Sequence, residues 1–96
     1  MPGVTRLGDA CTGHGAFPPR NNIEASANVI VNGKGAVRKG DAWDTHCNGV
    51  PVCHGGVAAS GSGTVKVNGR DLIRIGDPVD CGSSVAGGSG DVFAGG

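Results

Sequence analysis

The stretch that decides the fold is EASANVIVNGKGAVRKGD at residues 24–41, because it recurs as AASGSGTVKVNGRDLIRIGD at residues 58–77. A shortened third copy, AGGSGDVFAGG, occupies residues 86–96. In the two full copies valines alternate with other residues at period two, which predicts half-buried strands. The Asn-Gly dipeptide that follows is favoured in tight hairpin turns. Each full copy therefore predicts a β-hairpin.

A second repeated segment is interleaved with the hairpins. It reads VTRLGDACTGHG at 4–15, AVRKGDAWDTHC at 36–47 and LIRIGDPVDCG at 72–82, and all three contain the turn sequence Arg-x-Gly-Asp. The nine repeat-turn positions are Arg6, Gly8, Asp9, Arg38, Gly40, Asp41, Arg74, Gly76 and Asp77. No ten-residue window shows helical periodicity, so we expect an all-β fold. Three similar turns can be arranged about a pseudo-threefold axis.

The composition indicates a small domain that needs a cross-link. At 96 residues the chain has room for one core, and we expect a single domain over 1–96 without extension or fused effector. With 20 glycines and few large apolar residues, a disulfide or a metal is expected to supplement that core. The N-terminus has no signal-peptide pattern, which predicts synthesis in the cytoplasm, where thiols stay reduced. A metal is therefore favoured over a disulfide.

Charge and hydropathy exclude two classes of partner. The formal net charge is zero, and the basic residues are scattered, whereas nucleic-acid binding requires a concentrated basic face. No apolar run approaches the ~18 residues of a membrane span. We therefore expect a protein that binds no nucleic acid and does not reside in a membrane.

The candidate metal ligands follow from the register of the repeats. Seven Cys and His side chains are available: Cys11, His14, His46, Cys47, Cys53, His54 and Cys81. His14 and His46 both lie five residues after the Asp of their repeat, which favours His46 over its neighbour Cys47. Cys81 lies four residues after Asp77.

A fourth ligand would come from Cys53 or His54. Because neighbours in a strand point to opposite faces, only one of the two can face the metal. We favour His54, since three His and one Cys suit tetrahedral Zn²⁺, although two His and two Cys would serve as well. The other cysteines, Cys11, Cys47 and Cys53, are then expected to be small buried side chains.

No catalytic residue is predicted. A closed set of four ligands makes a structural metal site, whereas a catalytic site needs an open position and a general base. The only Glu is Glu24, which precedes a hairpin, and no HExxH pattern occurs. A free-standing zinc-dependent hydrolase is the alternative interpretation. The unrepeated segment Phe17-Pro18-Pro19-Arg20 is interpreted as an extended surface connector that packs Phe17 on the sheet.

The three Arg-x-Gly-Asp turns, the Val-x-Val-Asn-Gly hairpins and the GDACTGHG, GDAWDTHC and GDPVDCG segments together resemble the PAAR-repeat proteins. That family comprises the spike-tip proteins of type VI secretion systems and contractile phage tails. The literal Pro-Ala-Ala-Arg is replaced by Gly-Ala-Val-Arg at 35–38 and Asp-Leu-Ile-Arg at 71–74.

The resemblance implies a small conical β-structure whose base caps a trimeric β-helical spike protein, one cap per trimer. It implies one structural Zn²⁺ near the point, held by His14, His46, His54 and Cys81, and it adds most of the weight for His54. The protein would be a monomer by itself and would pierce a target membrane transiently. The minimal length of the chain and the Gly-Thr-Gly-His-like segment near its start slightly favour a phage tail spike in the virion over export by type VI secretion.

Overall fold

The computed structural model of the chain describes residues 2–47 and 52–95. The ends of the predicted domain, Met1 and Gly96, and the segment 48–51 lie outside the described residues. The predicted all-β fold is confirmed, and this part of the chain contains no helix that could cross a membrane. Its strands are β1 (Ile30–Val31), β2 (Lys34–Gly35), β3 (Ala42–Cys47), β4 (Cys53–Val57), β5 (Lys66–Val67) and β6 (Arg70–Asp71).

The strands form three antiparallel pairs, β1 with β2, β3 with β4 and β5 with β6. The first and third pairs are the hairpins predicted from the repeated Asn-Gly. Asn32 and Asn68 both have a φ of 53°, and the glycines after them are also in the positive-φ region. Positive φ at both central residues is the requirement of the type I′ turn, whose twist matches that of the flanking strands.

A closed triangle of backbone hydrogen bonds lies at the centre of the molecule. The amide of Thr5 donates to the carbonyl of Ile73, the amide of Ile73 to Val37, and the amide of Val37 to Thr5, each over 3.0 Å. All three residues are fully buried. Because they occupy equivalent positions in the three repeats, the triangle defines the pseudo-threefold axis that the sequence suggested.

A buried serine lies three residues before the first valine in each repeat of the hairpin segment. The hydroxyls of Ser26, Ser62 and Ser89 each accept the amide of the residue three positions later, at 3.0, 2.9 and 2.9 Å. Those amides belong to Val29, Val65 and Val92. The shortened third copy therefore enters its sector of the fold in the same conformation as the two complete copies.

The Arg-x-Gly-Asp segments form three copies of one turn. In each copy the Asp carboxylate accepts hydrogen bonds from the backbone amide, Nε and Nη2 of the Arg three residues earlier. The third residue of each turn is Gly8, Gly40 or Gly76, with φ of 90°, 88° and 92°. A type II turn requires positive φ at this position, which explains why the repeat keeps glycine there.

The apolar interior consists of two clusters. One contains Val4, Ala36, Val67, Leu72 and Ala94. The other packs around the ligand-bearing segments and contains Cys11, Val37, Trp43, Ala58, Ile73, Val79 and Val85. The molecule measures 39 × 23 × 23 Å, so it is elongated with two equal short axes.

Gly35 provides the first test of this packing. A Cβ added there would lie within 3.0 Å of the Ser26 carbonyl oxygen, and the contact is to backbone, which cannot rotate away. We expect Gly35→Ala to lower the free energy of unfolding by about 1–3 kcal/mol, the usual cost of overpacking. Urea unfolding followed by Trp43 fluorescence measures the change. Gly90→Ala is the matched control, because nothing lies within 4 Å of its added Cβ, and equal losses in the two variants would contradict the packing argument.

Candidate metal centre

His46 and His54 face each other across the β3–β4 hairpin. They are register partners, and the next pair toward the hairpin loop is Cys47 with Cys53. Between Trp43 and His46 the register shifts, because two residues of β3, Asp44 and Thr45, lie opposite the single residue Gly55 of β4. This bulge turns His46 to the buried side, where a regular strand continuing from the buried Trp43 would have pointed it outward.

The hydrogen bonds of the two imidazoles fix their tautomers. Nδ1 of His46 lies 2.8 Å from the carbonyl oxygen of Pro18, and Nδ1 of His54 lies 2.9 Å from that of Gly55. A carbonyl oxygen only accepts, so both Nδ1 atoms carry the proton. In the neutral rings both Nε2 atoms then present lone pairs, and they lie 3.0 Å apart. Two lone pairs at this distance repel each other unless a cation lies between them.

His14 and Cys81 complete the cluster from two other repeats. Nε2 of His14 is buried and has no hydrogen-bond partner within the described ranges. One ligand atom from each of His14, His46, His54 and Cys81 lies within 4.8 Å of the others. In tetrahedral zinc sites the Zn–N distances are about 2.0–2.1 Å and the Zn–S distance about 2.3 Å. Small side-chain shifts therefore suffice to surround one ion.

The donor set fits a divalent metal of the zinc type. Imidazole must be neutral to bind a metal. Burial lowers the pKa of His14, and the neighbouring His46, His54 and Arg20 lower it further, which favours the neutral ring at pH 7. The Nδ1–H groups that donate to backbone carbonyls are the usual outer-shell contact of metal-binding histidines. A bound cation would give the unpaired Nε2 of His14 a partner, and it would remove the repulsion between the facing lone pairs of His46 and His54.

The segment after His14 forms an aromatic wall on the cluster. His14 and Phe17 exchange two backbone hydrogen bonds, of 3.0 and 2.8 Å, around a turn in which Gly15 has a φ of 53°. The Phe17 ring lies 4.8 Å from the ring of His14, 4.9 Å from that of His46 and 4.5 Å from that of His54, centroid to centroid. Phe17 therefore contacts all three imidazoles, and its ring stacks on that of His14.

Arg20 ties the same segment to the other side of the cluster. Its Nη2 donates to Sγ of Cys81 over 2.9 Å, and its Nη1 donates to the carbonyl of His54 over 3.3 Å. The residue is only 6 % exposed. The thiolate is the form in which Cys binds a metal, and the Arg20 guanidinium lies in position to donate a charge-assisted hydrogen bond to it.

Comparison with known proteins agrees with this geometry. The PAAR motif family matches residues 12–87, which span all four clustered side chains. This chain belongs to the PAAR motif family. The PAAR chain is also 37 % identical, over 79 residues, to the NAD(P)(+) glycohydrolase toxin Tse6 of Pseudomonas aeruginosa strain PAO1 and to the (p)ppApp synthetase toxin Tas1 of strain UCBPP-PA14. Each match covers 77 % of the PAAR chain but only 18 % of the relative.

The structure also corrects the expectations for two cysteines of the PAAR chain. Cys47 and Cys53 were expected to be small buried side chains with reduced thiols, and this is wrong, because both are exposed and joined in a disulfide. The strand alternation that turns His46 and His54 inward turns these neighbours outward, and their Cα atoms lie 4.1 Å apart. The disulfide leaves Cys53, the alternative fourth ligand, outside the cluster. Cys11 is buried, as predicted, with a free thiol.

Sequence reasoning missed the contacts of Phe17 and Arg20. It placed Phe17 on the sheet and gave Arg20 no role, whereas the structure packs both of them against the candidate ligands. The segment has no counterpart in the other repeats, so the register that aligns His14 with His46 gives no information on it. The one available signal was the position of Phe17 three residues after His14.

Proposed function

We propose that this chain is a spike tip of a contractile injection machine, in which it caps a trimeric β-helical spike. The observation that carries the proposal is the pseudo-threefold ring formed by Thr5, Val37 and Ile73. It allows a single chain to present three similar surfaces to a partner with true threefold symmetry. The family membership makes the spike of a type VI secretion system the first partner to test, with a phage tail as the second setting.

An exposed apolar position repeats around the same axis. Val29, Val65 and Val92 follow the three buried serines at equal spacing, and their exposures are 37, 37 and 38 %. The next residues in the first and third sectors, Ile30 and Phe93, are also large, apolar and exposed. Exposed apolar side chains arranged with the symmetry of a partner are typical of an interaction surface. We propose that these five side chains form the base of the cap, which is the surface that contacts the spike.

We further propose that one structural Zn²⁺ is held by His14, His46, His54 and Cys81. When bound, the ion cross-links three segments that are far apart in sequence. A narrow tip rich in glycine has little room for an apolar core, and the metal supplies stabilisation that burial would otherwise provide. Four protein ligands leave no open position in a tetrahedral set, which favours a mechanical part over the alternative of a zinc hydrolase.

The experiment for the capping proposal is co-expression with a trimeric β-helical spike protein of a type VI system. Native mass spectrometry should give a complex of one chain per spike trimer. The triple variant Val29→Asp, Val65→Asp, Val92→Asp should lose this complex, because three carboxylates would be buried without partners. Val52→Asp is the control. Val52 is 53 % exposed, but it directly precedes β4 in the hairpin that carries His46 and His54, outside the proposed contact surface.

Two outcomes would overturn the assignment. A triple variant that binds as well as the wild type would show that the spike contacts another surface. A Val52→Asp variant that alone loses binding would place the contact at the β3–β4 hairpin. Circular dichroism of each variant establishes that the fold is retained before binding is scored.

Arg20 gives a second prediction for the same site. We expect Arg20→Ala to weaken metal affinity about 10–100-fold, the usual effect of removing an outer-shell partner. Arg20→Lys retains the charge but not the forked geometry that reaches both Cys81 and His54. Its metal affinity should therefore lie between those of Arg20→Ala and the wild type. Competition with a chromogenic chelator measures the affinity, with Lys34→Ala as an exposed control. If Arg20→Ala binds the metal as tightly as wild type, the contact to Cys81 has no part in metal retention.

A further inference from the structure

The Cys47–Cys53 disulfide lies next to the two candidate ligands of the β3–β4 hairpin. Cys47 pairs with Cys53 in the register position directly after His46 and His54. The imidazoles point toward the metal cluster, whereas both sulfur atoms lie on the exposed side of the hairpin. The covalent bond is thus one residue away from the ligands on each strand, yet it takes no part in the ligand set.

The strand ladder that holds His46 opposite His54 is very short. On one side the register is interrupted by the bulge between Trp43 and His46. On the other side the described strands end at Cys47 and Cys53. Within the described residues only two register pairs therefore lie beyond the bulge, and one of them is the disulfide itself. The disulfide is the strongest local constraint on the distance between the two imidazoles.

We propose that Cys47 and Cys53 form a redox-controlled staple that sets how long the tip retains its metal. In the disulfide form the strands stay paired at the ligand positions. The conformational entropy that must be lost to hold His46 beside His54 is therefore already lost before the metal binds. In the dithiol form the hairpin end can open and release the ion. For a sequence separation of 6, loop-closure entropy limits the difference in metal-release rate between the dithiol and disulfide forms to about 50-fold. We expect a difference of about tenfold.

The redox step is ordinary thiol–disulfide exchange with a small disulfide oxidant such as oxidised glutathione. One cysteine thiolate attacks the oxidant and forms a mixed disulfide, which releases one glutathione thiolate. The other cysteine thiolate then attacks the protein sulfur of the mixed disulfide and releases the second thiolate. The protein loses two electrons and two protons, and the oxidant becomes two thiols. Because the cytoplasm keeps thiols reduced, the staple would close when the protein reaches an oxidising compartment.

The other two thiols are separated from this exchange. Cys11 is buried in the apolar cluster around Trp43. Cys81 lies among the candidate ligands and accepts the hydrogen bond from Arg20. The exposed pair can therefore be reduced with a mild, non-chelating phosphine and reoxidised with oxidised glutathione while the metal protects Cys81.

The test measures the transfer of Zn²⁺ from the full chain to an excess of chromogenic chelator by stopped-flow absorbance. Three samples are compared: oxidised wild type, phosphine-reduced wild type, and the double variant Cys47→Ser, Cys53→Ser. We expect the reduced protein and the double variant to release the ion at the same rate, about tenfold faster than the oxidised protein. Only the wild type should respond to the reductant. Peptide mass mapping identifies the linked cysteines.

Equal release rates in all three samples would overturn the proposal, as would a mapped disulfide that involves Cys81 or Cys11. The inference rests on the proposed metal site, and metal analysis separates the two claims. Oxidised protein that contains no stoichiometric metal contradicts the site itself, whereas a loaded protein with redox-independent release contradicts only the staple. If the double variant does not fold, the reduced wild type gives the same comparison.

Discussion

His46→Ala should abolish stoichiometric metal binding and lower the melting temperature more than any other single change in the hairpin. His46 is only 4 % exposed. Its Nδ1 donates to the carbonyl oxygen of Pro18, and its Nε2 faces the Nε2 of His54. Structural zinc contributes on the order of 10 kcal/mol of apparent binding free energy in small metal domains. For a chain of this size, even a third of that energy corresponds to a fall of about 15–25 °C. Elemental analysis and differential scanning calorimetry measure the two effects.

A chelator separates loss of the metal from loss of the imidazole. Removing the ion from wild-type protein should lower its melting temperature toward that of His46→Ala, whereas the same treatment should leave His46→Ala unchanged. Thr45→Ala is the matched control, because Thr45 is the exposed preceding residue in the same strand. Wild-type protein purified without metal, or a chelator effect of equal size in the wild type and His46→Ala, would contradict the role of His46 as a ligand.

The repeated parts of the molecule could be predicted from sequence, because repetition gives position as well as type. The Asn-Gly hairpins and the Arg-x-Gly-Asp turns need positive φ at fixed places, and glycine or asparagine at those places identifies them. The same register aligns His14 with His46, and their side chains do come together with Cys81. Local turn chemistry and symmetry were therefore sufficient to predict the two Asn-Gly hairpins and the three repeated turns, but not the pairing of β3 with β4.

Other features depend on contacts that repetition does not report. Regular alternation from the buried Trp43 would have turned Cys47 inward and His46 outward, and only the bulge at 44–45 reverses this. The disulfide follows from that register, so reasoning from the redox state of the compartment could not find it. Phe17 and Arg20 lie in a segment that occurs once, and their partners are set by a turn within that segment.

Asp41→Ala should be the most destabilising substitution among the three repeat turns. Asp41 is fully buried, and it accepts hydrogen bonds from Arg38 at 2.7, 2.9 and 3.0 Å and from Nη2 of Arg70 at 3.0 Å. The hydrogen bond to Asp41 raises the pKa of Arg38, although burial opposes the shift, so the pair favours the charged guanidinium. Removing the carboxylate leaves the Arg38 guanidinium with its hydrogen bond to Asn68, and it leaves Arg70, whose side chain is 40 % exposed, to the solvent. Because both charges remain partly solvated, we expect a loss of about 3 kcal/mol, at the lower end of the cost of breaking a buried ion pair.

The equivalent turns provide internal controls for this prediction. The Asp9 and Asp77 side chains are 11 % and 12 % exposed, and each forms its ion pair with a single Arg. Asp9→Ala and Asp77→Ala should therefore cost less than Asp41→Ala, and the exposed Asp44→Ala should cost least. Asp41→Asn retains the shape of the side chain but not its charge, so its loss should lie between those of Asp41→Ala and the wild type. Urea unfolding gives the order, and equal losses at all three turns would show that the second arginine, Arg70, adds nothing to the buried carboxylate.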